Sequence, residues 1–367
     1  MCKNLSIAFI IVFIFTSPSS FSIEKLRFIG DQNIATGEKF KETEIGGLSG
    51  LFLDKKTNKI LAISDDRSKT NDARFYEFNL KLDEKSFSIT PNEVVILKNK
   101  DGRSFPNGTI DFEDIALLND DLIITSEGSA NKEPPINPEI FLFTRDGKYK
   151  KNIEVPFKFN PSLSNAEKSG VRDNLAFEAL TVAKDGKNFW VGTEETLVQD
   201  GQTSSPKQGS NIRLIQYKDL KPVKEIAYGL DKIPNITVAG LTFGVTGLSA
   251  MLEIDDSTFY TIERSYSPLA RIKTIRLFKF KISNQETDIS NMQSIKGKTI
   301  VTIEKELVAN LQDFTSLMSL KFQNLDNIEG ITWGPKLSNG HDTLILVSDN
   351  NFNKNQRTQF LAFEIIP

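Results

Sequence analysis

Histidine and cysteine each occur once in the 367 residues, at His341 and Cys2. Those two counts exclude a Cys/His zinc site, a thiol nucleophile with a histidine base and an intramolecular disulfide. Tryptophan is scarce, with two residues, and tyrosine little less so, with six. No internal apolar run approaches the ~20 residues of a membrane span. Charge of one sign is not in excess, since 45 basic residues face 48 acidic ones. The absence of a basic block argues against a nucleic-acid surface. Nothing in the chain points to an organic cofactor.

Phenylalanine is abundant, at 27 residues. Together with many Ile, Leu and Thr it favours strands. Residues 1–22, MCKNLSIAFIIVFIFTSPSSFS, read as a signal peptide: Lys3, an apolar Ile7–Phe15 stretch, then Ser20 and Ser22 before the cut. The expectation is an exported or periplasmic protein whose single domain spans residues 23–367. Cleavage removes the cysteine, so core burial alone must hold the mature chain together.

The body is a repeat. GGLSGLFLDKKTNKILAISDDR from Gly46, EDIALLNDDLIITSEGS from Glu113, EALTVAKDGKNFWVGTEET from Glu178, TGLSAMLEIDDSTFYTIERS from Thr246 and EGITWGPKLSNGHDTLILVSDNN from Glu329 share one pattern. Each has an apolar strand, a polar turn and a second strand ending in an acid. Leu48, Ile115, Leu180, Leu248 and Ile331 align in the first strand; Asp65, Glu127, Glu194, Glu263 and Asp349 align at the end of the second. A third strand ends on an aromatic in every copy: Phe78, Phe143, Tyr217, Phe280 and Phe363. Fourth strands such as EVVIL at Glu93 and KEIAY at Lys224 follow, except in the last copy. KLRFIG near Lys25 is spare and would complete that blade.

This pattern predicts an all-β protein, a β-propeller of four-stranded blades closed by the N-terminal strand. Five blades are clear. A sixth would require the long Ser283–Asn324 insertion to fold as one; that insertion also holds NLQDFTSLMSLKFQN, a candidate helix.

In such a ring the start of the first strand and the end of the second meet at one channel mouth. Glu113, Glu178 and Glu329 then stand beside the acidic column and are candidate catalytic acids or bases. Asp65, Glu127, Glu194, Glu263 and Asp349 are candidate ligands for Ca²⁺ or another divalent cation, since hard cations take carboxylate oxygens. Arg67, Arg264, Arg271 and Arg357, on the same loops, are candidates for holding an anionic substrate. Acids at strand ends also serve structure, by capping the N–H groups of the next loop, and the column is open to that reading.

With EIGGLSGLFLD and ISDDR, DFEDIAL and ITSEGS, FEALTV and WVGTEE, GLSAM and YTIERSY, NIEGITW and LVSDNN laid out, the chain resembles the family named for the esterase-like activity of phytase, over roughly residues 40–365. The resemblance implies an exported propeller acting on esters or phosphoesters. A serine nucleophile is not expected: no G-x-S-x-G elbow occurs, and Ser49 and Ser249 align with Ala116 and Thr181 as repeat positions. His341 is expected in a turn on the face away from the acids. Two functions stay open: a metal-assisted hydrolase of small esters or phosphoesters, and a propeller that binds a ligand or protein without turnover.

Overall fold

The computed structural model describes residues 24–162, 168–234, 237–238, 241–319 and 325–367. The segment read as a signal peptide lies outside the described residues.

Five four-stranded antiparallel sheets follow one another along the chain. The first is Leu48–Asp54, Lys59–Ser64, Arg74–Leu82 and Phe87–Ile96; the second is Phe112–Leu118, Asp121–Ser126, Glu139–Phe143 and Tyr149–Ile153. The third is Phe177–Val182, Phe189–Thr193, Asn211–Lys218 and Lys221–Gly229; the fourth is Val245–Asp255, Thr258–Ser267, Ile272–Lys281 and Lys305–Asn310. In the fifth, Asn327–Trp333, Thr343–Asp349 and Thr358–Ile366 are joined by Lys25–Ile34, which pairs antiparallel with the last strand from Lys25↔Ile366 to Ile34↔Thr358.

The physical reason for the ring lies in which faces are apolar. An inner strand such as Phe112–Leu118 is buried at every residue, so it must be covered on both sides, as the central strands of closed architectures are. Five apolar clusters do the covering, each shared by two adjacent blades, and the cluster holding Leu48, Tyr76, Ile345 and Phe360 joins the fifth blade to the first. The terminal aromatics of the third strands sit in these seams and are fully buried. Tyr217 stacks on Phe189 at 4.5 Å, Phe280 on Phe259 at 5.0 Å, and Phe78 meets Phe360 edge-on at 5.3 Å. Such pairs add about 0.5–1.5 kcal/mol beyond area burial, which gives the phenylalanine excess a structural use.

Polar clasps tie neighbouring blades. Leu180 N–H donates to Asp114 (2.8 Å), Glu253 N–H to Thr181 (2.9 Å) and Leu53 N–H to Thr332 (2.9 Å). The long insertion supplies the outer strand of the fourth blade and a 3₁₀ turn at Leu311–Leu317, and tucks Ile289 and Ile295 against Ala227. Among the described residues it contains no sixth blade.

Register corrects two alignments made on the sequence. Every inner strand carries a bulge near its start: Leu48/Leu51, Phe112/Ile115, Phe177/Ala179, Leu248/Ala250 and Ile328/Gly330. The equivalent channel residues below the bulge are Leu51, Ile115, Leu180, Met251 and Ile331, so Leu48 and Leu248 belong higher up. At the mouth, Leu48 faces Ser64, Phe112 faces Ser126, Phe177 faces Thr193 and Ile328 faces Ser348, whereas Leu248 faces Glu263. Glu263 is thus the counterpart of those hydroxyl residues. The fourth-blade counterpart of the acids is Arg264, paired with Gly247.

Candidate active site at the acidic channel mouth

Two rings result from that register. The upper one is Asp65, Glu127, Glu194, Arg264 and Asp349, four acids and a guanidinium. The lower one, on the inner strands, is Ser49, Glu113, Glu178, Ser249 and Glu329. Ser49 and Ser249 therefore occupy the glutamate position, not that of Ala116 and Thr181. Ser49 Oγ donates to Glu113 (3.1 Å), and Ser249 Oγ donates to the Ile328 carbonyl (3.1 Å).

Glu263 does not belong to the mouth. It lies fully buried inside the fourth blade, bonded by Tyr228 Oη (2.9 Å), paired with Arg276 (3.2 Å) and with Lys305. Its carboxylate is saturated by Arg276 and Lys305 of its own sheet and by Tyr228 of the third blade, which removes it from the candidate cation ligands. Asp66, Glu195 and Asn350, one residue past the column, are loop staples. Asp66 accepts the N–H groups of Thr70 and Asn71 (both 2.7 Å) and the Arg74 guanidinium; Glu195 accepts Ser204 N–H (2.6 Å); Asn350 accepts Gly47 N–H (3.0 Å).

Asp111 joins the cluster although the repeat did not mark it. It occupies the position held by Gly47, Ala176, Gly247 and Asn327 in the other blades, and its carbonyl accepts Glu127 N–H (3.0 Å). Eight carboxylates then crowd one mouth: Asp65, Asp111, Glu113, Glu127, Glu178, Glu194, Glu329 and Asp349. Arg67 chelates Asp111 with contacts of 2.6 and 2.5 Å and also donates to Asn174. Arg264 pairs with Glu194 (3.0 Å) and Glu329 (3.4 Å) and donates to Asn327 (2.5 Å). Arg271 stands exposed at a hairpin tip, and Arg357 is fixed through its backbone N–H to Asp326 (2.9 Å). The structure gathers Arg67 and Arg264 with the acids, sets Arg271 apart at its hairpin tip, and holds the Arg357 backbone beside Ser348, whose Oγ donates to the Arg357 carbonyl (2.8 Å).

Two guanidiniums cannot neutralise eight carboxylates. Burial, and then the neighbouring carboxylates, push Glu113, Glu127, Glu178 and Asp349 well above their ordinary range. Burial lifts Glu194 to about 7 and Asp111 to about 6, with Arg264 and Arg67 respectively restraining the rise. Glu127 Oε2, Glu178 Oε2 and Asp349 Oδ2 are buried without a hydrogen-bond partner among the described residues. One oxygen each from Asp111, Glu113 and Glu127, and one each from Glu127, Glu178 and Glu194, lie within 4.8 Å of one another. A cation with Ca–O distances of about 2.3–2.6 Å spans that separation. The residues fit a hard divalent cation, and the arrangement can also hold shared protons.

His341 lies away from this mouth, in the turn between the first two strands of the fifth blade, where Nδ1 contacts Glu364 (2.6 Å). The described residues contain no helix long and apolar enough to cross a membrane.

No curated protein sequence is significantly similar to the chain. Among solved structures, an endo-arabinase from Bacteroides thetaiotaomicron VPI-5482 is 14% identical, covering 89% of this chain and 95% of its own, with a TM-score of 0.44. A thermostable family-43 glycoside hydrolase is 10% identical, covering 86% and 89%, with a TM-score of 0.43. The sequence pattern of one family, Phytase-like, described as esterase-like activity of phytase, matches residues 43–352. That span takes in all five inner strands and both carboxylate rings, and the chain belongs to the Phytase-like family.

Proposed function

We propose that the acidic mouth binds a divalent cation, Ca²⁺ by the hardness of its all-oxygen donors, and that the protein is an exported metal-assisted hydrolase of small phosphoesters or esters. The observation that carries this reading is the convergence of buried, partnerless carboxylate oxygens from Glu127 and Glu178 on the same few ångströms as Glu194, Asp111 and Glu113. Leaving such groups unpaired is costly, and a cation held by Glu127 relieves that carboxylate and offsets the charge of its neighbours.

A cation bound there supplies Lewis-acid polarisation and an acidified water. Glu127 would hold it with Asp111 and Glu113, one oxygen from each lying within 4.8 Å of the others, while Glu194, Asp65 and Asp349 add negative charge around it. Glu178 is the best-placed proton acceptor, because Glu329 is engaged by Asn327 (2.6 Å) and Arg264, and Glu113 by Ser49. Arg67, whose side chain is 33% exposed, presents the outer positive charge that an anionic ester needs on approaching so acidic an opening. The leader-like residues 1–22 support export.

The test is hydrolysis of p-nitrophenyl phosphate, bis(p-nitrophenyl) phosphate and p-nitrophenyl acetate by chelated protein, before and after addition of Ca²⁺, Mg²⁺ or Mn²⁺. Turnover should require metal and fall at least about a hundredfold in Glu178→Gln. Metal-independent turnover, or a variant as fast as wild type, contradicts the proposal. A second reading is favoured by one observation: Glu113, Glu127, Glu178, Glu194, Glu329 and Asp349 are only 1–8% exposed. There the cation is structural and the face binds a partner without turnover. Metal binding with no hydrolysis of any substrate selects it.

A further inference from the structure

The other end of the channel has the opposite character. The five equivalent residues Leu51, Ile115, Leu180, Met251 and Ile331 form an apolar floor, one from each blade, beneath the acids. Below it opens a cavity of about 230 Å³ walled by Phe52, Leu53, Val182, Leu252 and Trp333. The indole of Trp333 is fixed, its N–H donating to the Glu253 carbonyl (3.0 Å), so the wall is preformed. Cavities of ~150 Å³ lined by aliphatic and aromatic side chains stay dry and take up benzene. This one is larger and leads to the surface.

Its rim is basic. Lys55, Lys56, Arg145 and Lys184 surround the opening, with Asp54 and Glu253. Arg145 is committed to Asp54 (2.7 Å), and Lys56 to Asp120 (2.5 Å). Lys55 and Lys184 are exposed and form no ion pair among the described residues. Both also line the adjoining outer cleft of about 480 Å³, together with Trp333, so both lysines stand where cavity meets solvent. Glu253 is buried, its carboxyl lifted to about 7 by burial and then by Asp256 and Asp185, which weakens its repulsion of an anion, and Asp342 in the outer cleft is paired with Lys336 (2.7 Å). Asp185, nearby but outside the cavity lining, is occupied by Lys187 N–H (2.7 Å) and Asn188 N–H (3.0 Å).

We propose that this cavity is a binding site for a small carboxylate with an apolar body about the size of a benzene ring, the body against the five-residue floor and Trp333, the carboxylate between Lys55 and Lys184. Apolar burial supplies the affinity and the two lysines the preference for an anion. The site is separate from the acidic mouth and does not depend on a metal there.

The experiment follows the Trp333 indole N–H resonance of the full mature protein, assigned with Trp333→Phe, during titration with benzoate, toluene and benzylamine. Benzoate should shift it saturably and bind more tightly than either neutral or cationic probe. The double variant Lys55→Gln/Lys184→Gln, in exposed positions that leave the fold intact, should weaken benzoate at least about fivefold and leave toluene unchanged. Absence of a saturable shift with benzoate overturns the proposal. So does toluene or benzylamine binding as tightly as benzoate, or a double variant that binds benzoate like wild type.

Discussion

Arg264→Met is the substitution that probes the mouth most sharply. Arg264 is the one cation in a five-membered ring otherwise acidic, its side chain 16% exposed and held by Glu194, Glu329 and Asn327. Methionine keeps much of the volume and deletes the charge, leaving two carboxylates without their partner. Removing one member of a buried ion pair costs about 3–5 kcal/mol. In a chain this long, 1 kcal/mol corresponds to roughly 2 °C in Tm, so the variant in chelator should melt about 6–10 °C below wild type. The loss should shrink when Ca²⁺ is added, because deleting a competing positive charge tightens cation binding in the variant; binding at saturation stabilises both proteins, and each tenfold tighter Kd in the variant recovers about 1.4 kcal/mol of the deficit. The assay is thermal unfolding of both proteins in chelator and in excess Ca²⁺. A variant within about 1 °C of wild type in chelator would refute the placement of Arg264 in the ring. So would a deficit that Ca²⁺ leaves untouched.

Glu263→Gln should destabilise by less than Arg264→Met, since Arg276 and Lys305 keep Asp231 (2.6 and 3.1 Å), and leave Ca²⁺ affinity unchanged; calorimetric titration of the variant checks this. Gly247→Ala would drive a methyl group into the Glu194 side chain, costing about 1–3 kcal/mol and weakening cation binding; an unchanged denaturation midpoint would count against the packing described. In chelator, stability should fall as pH rises from about 4.5 to about 7. The folded-state carboxyls of Glu194 and Asp111 are lifted to about 7 and about 6, so the native state holds more protons than the unfolded one across that window, and the gain is lost as they ionise. Saturating Ca²⁺ should flatten the decline, and a Tm that climbs steadily through the same window in chelator would contradict it.

The blades were legible because a strand buried on both faces has to be a run such as FEALTV or NIEGITW, and because an aromatic closes every third strand. The same repetition exposed four of the five upper-ring positions. The fourth blade misled for a local reason. Its first two strands run to Asp255 and Ser267, longer than in the other blades, so Glu263 and Arg264 offer two plausible ends, and acidic company favoured the wrong one. The bulge at the head of each inner strand is silent in sequence, which hid the equivalence of Ser49 and Ser249 with the glutamates. Asp111 was missed because its counterparts are glycine, alanine and asparagine. The apolar cavity depends on how five strands taper around an axis, a property of assembly that no single segment carries.

The central claim is that the acidic mouth is a cation site, and calorimetric titration of Ca²⁺ into chelated mature protein tests it most directly. The account predicts saturable binding at a defined stoichiometry in wild type, lost in Glu127→Gln, whose carboxylate belongs to both oxygen triads, and retained in Glu263→Gln. Absence of binding by wild type, or undiminished binding by Glu127→Gln, would contradict it.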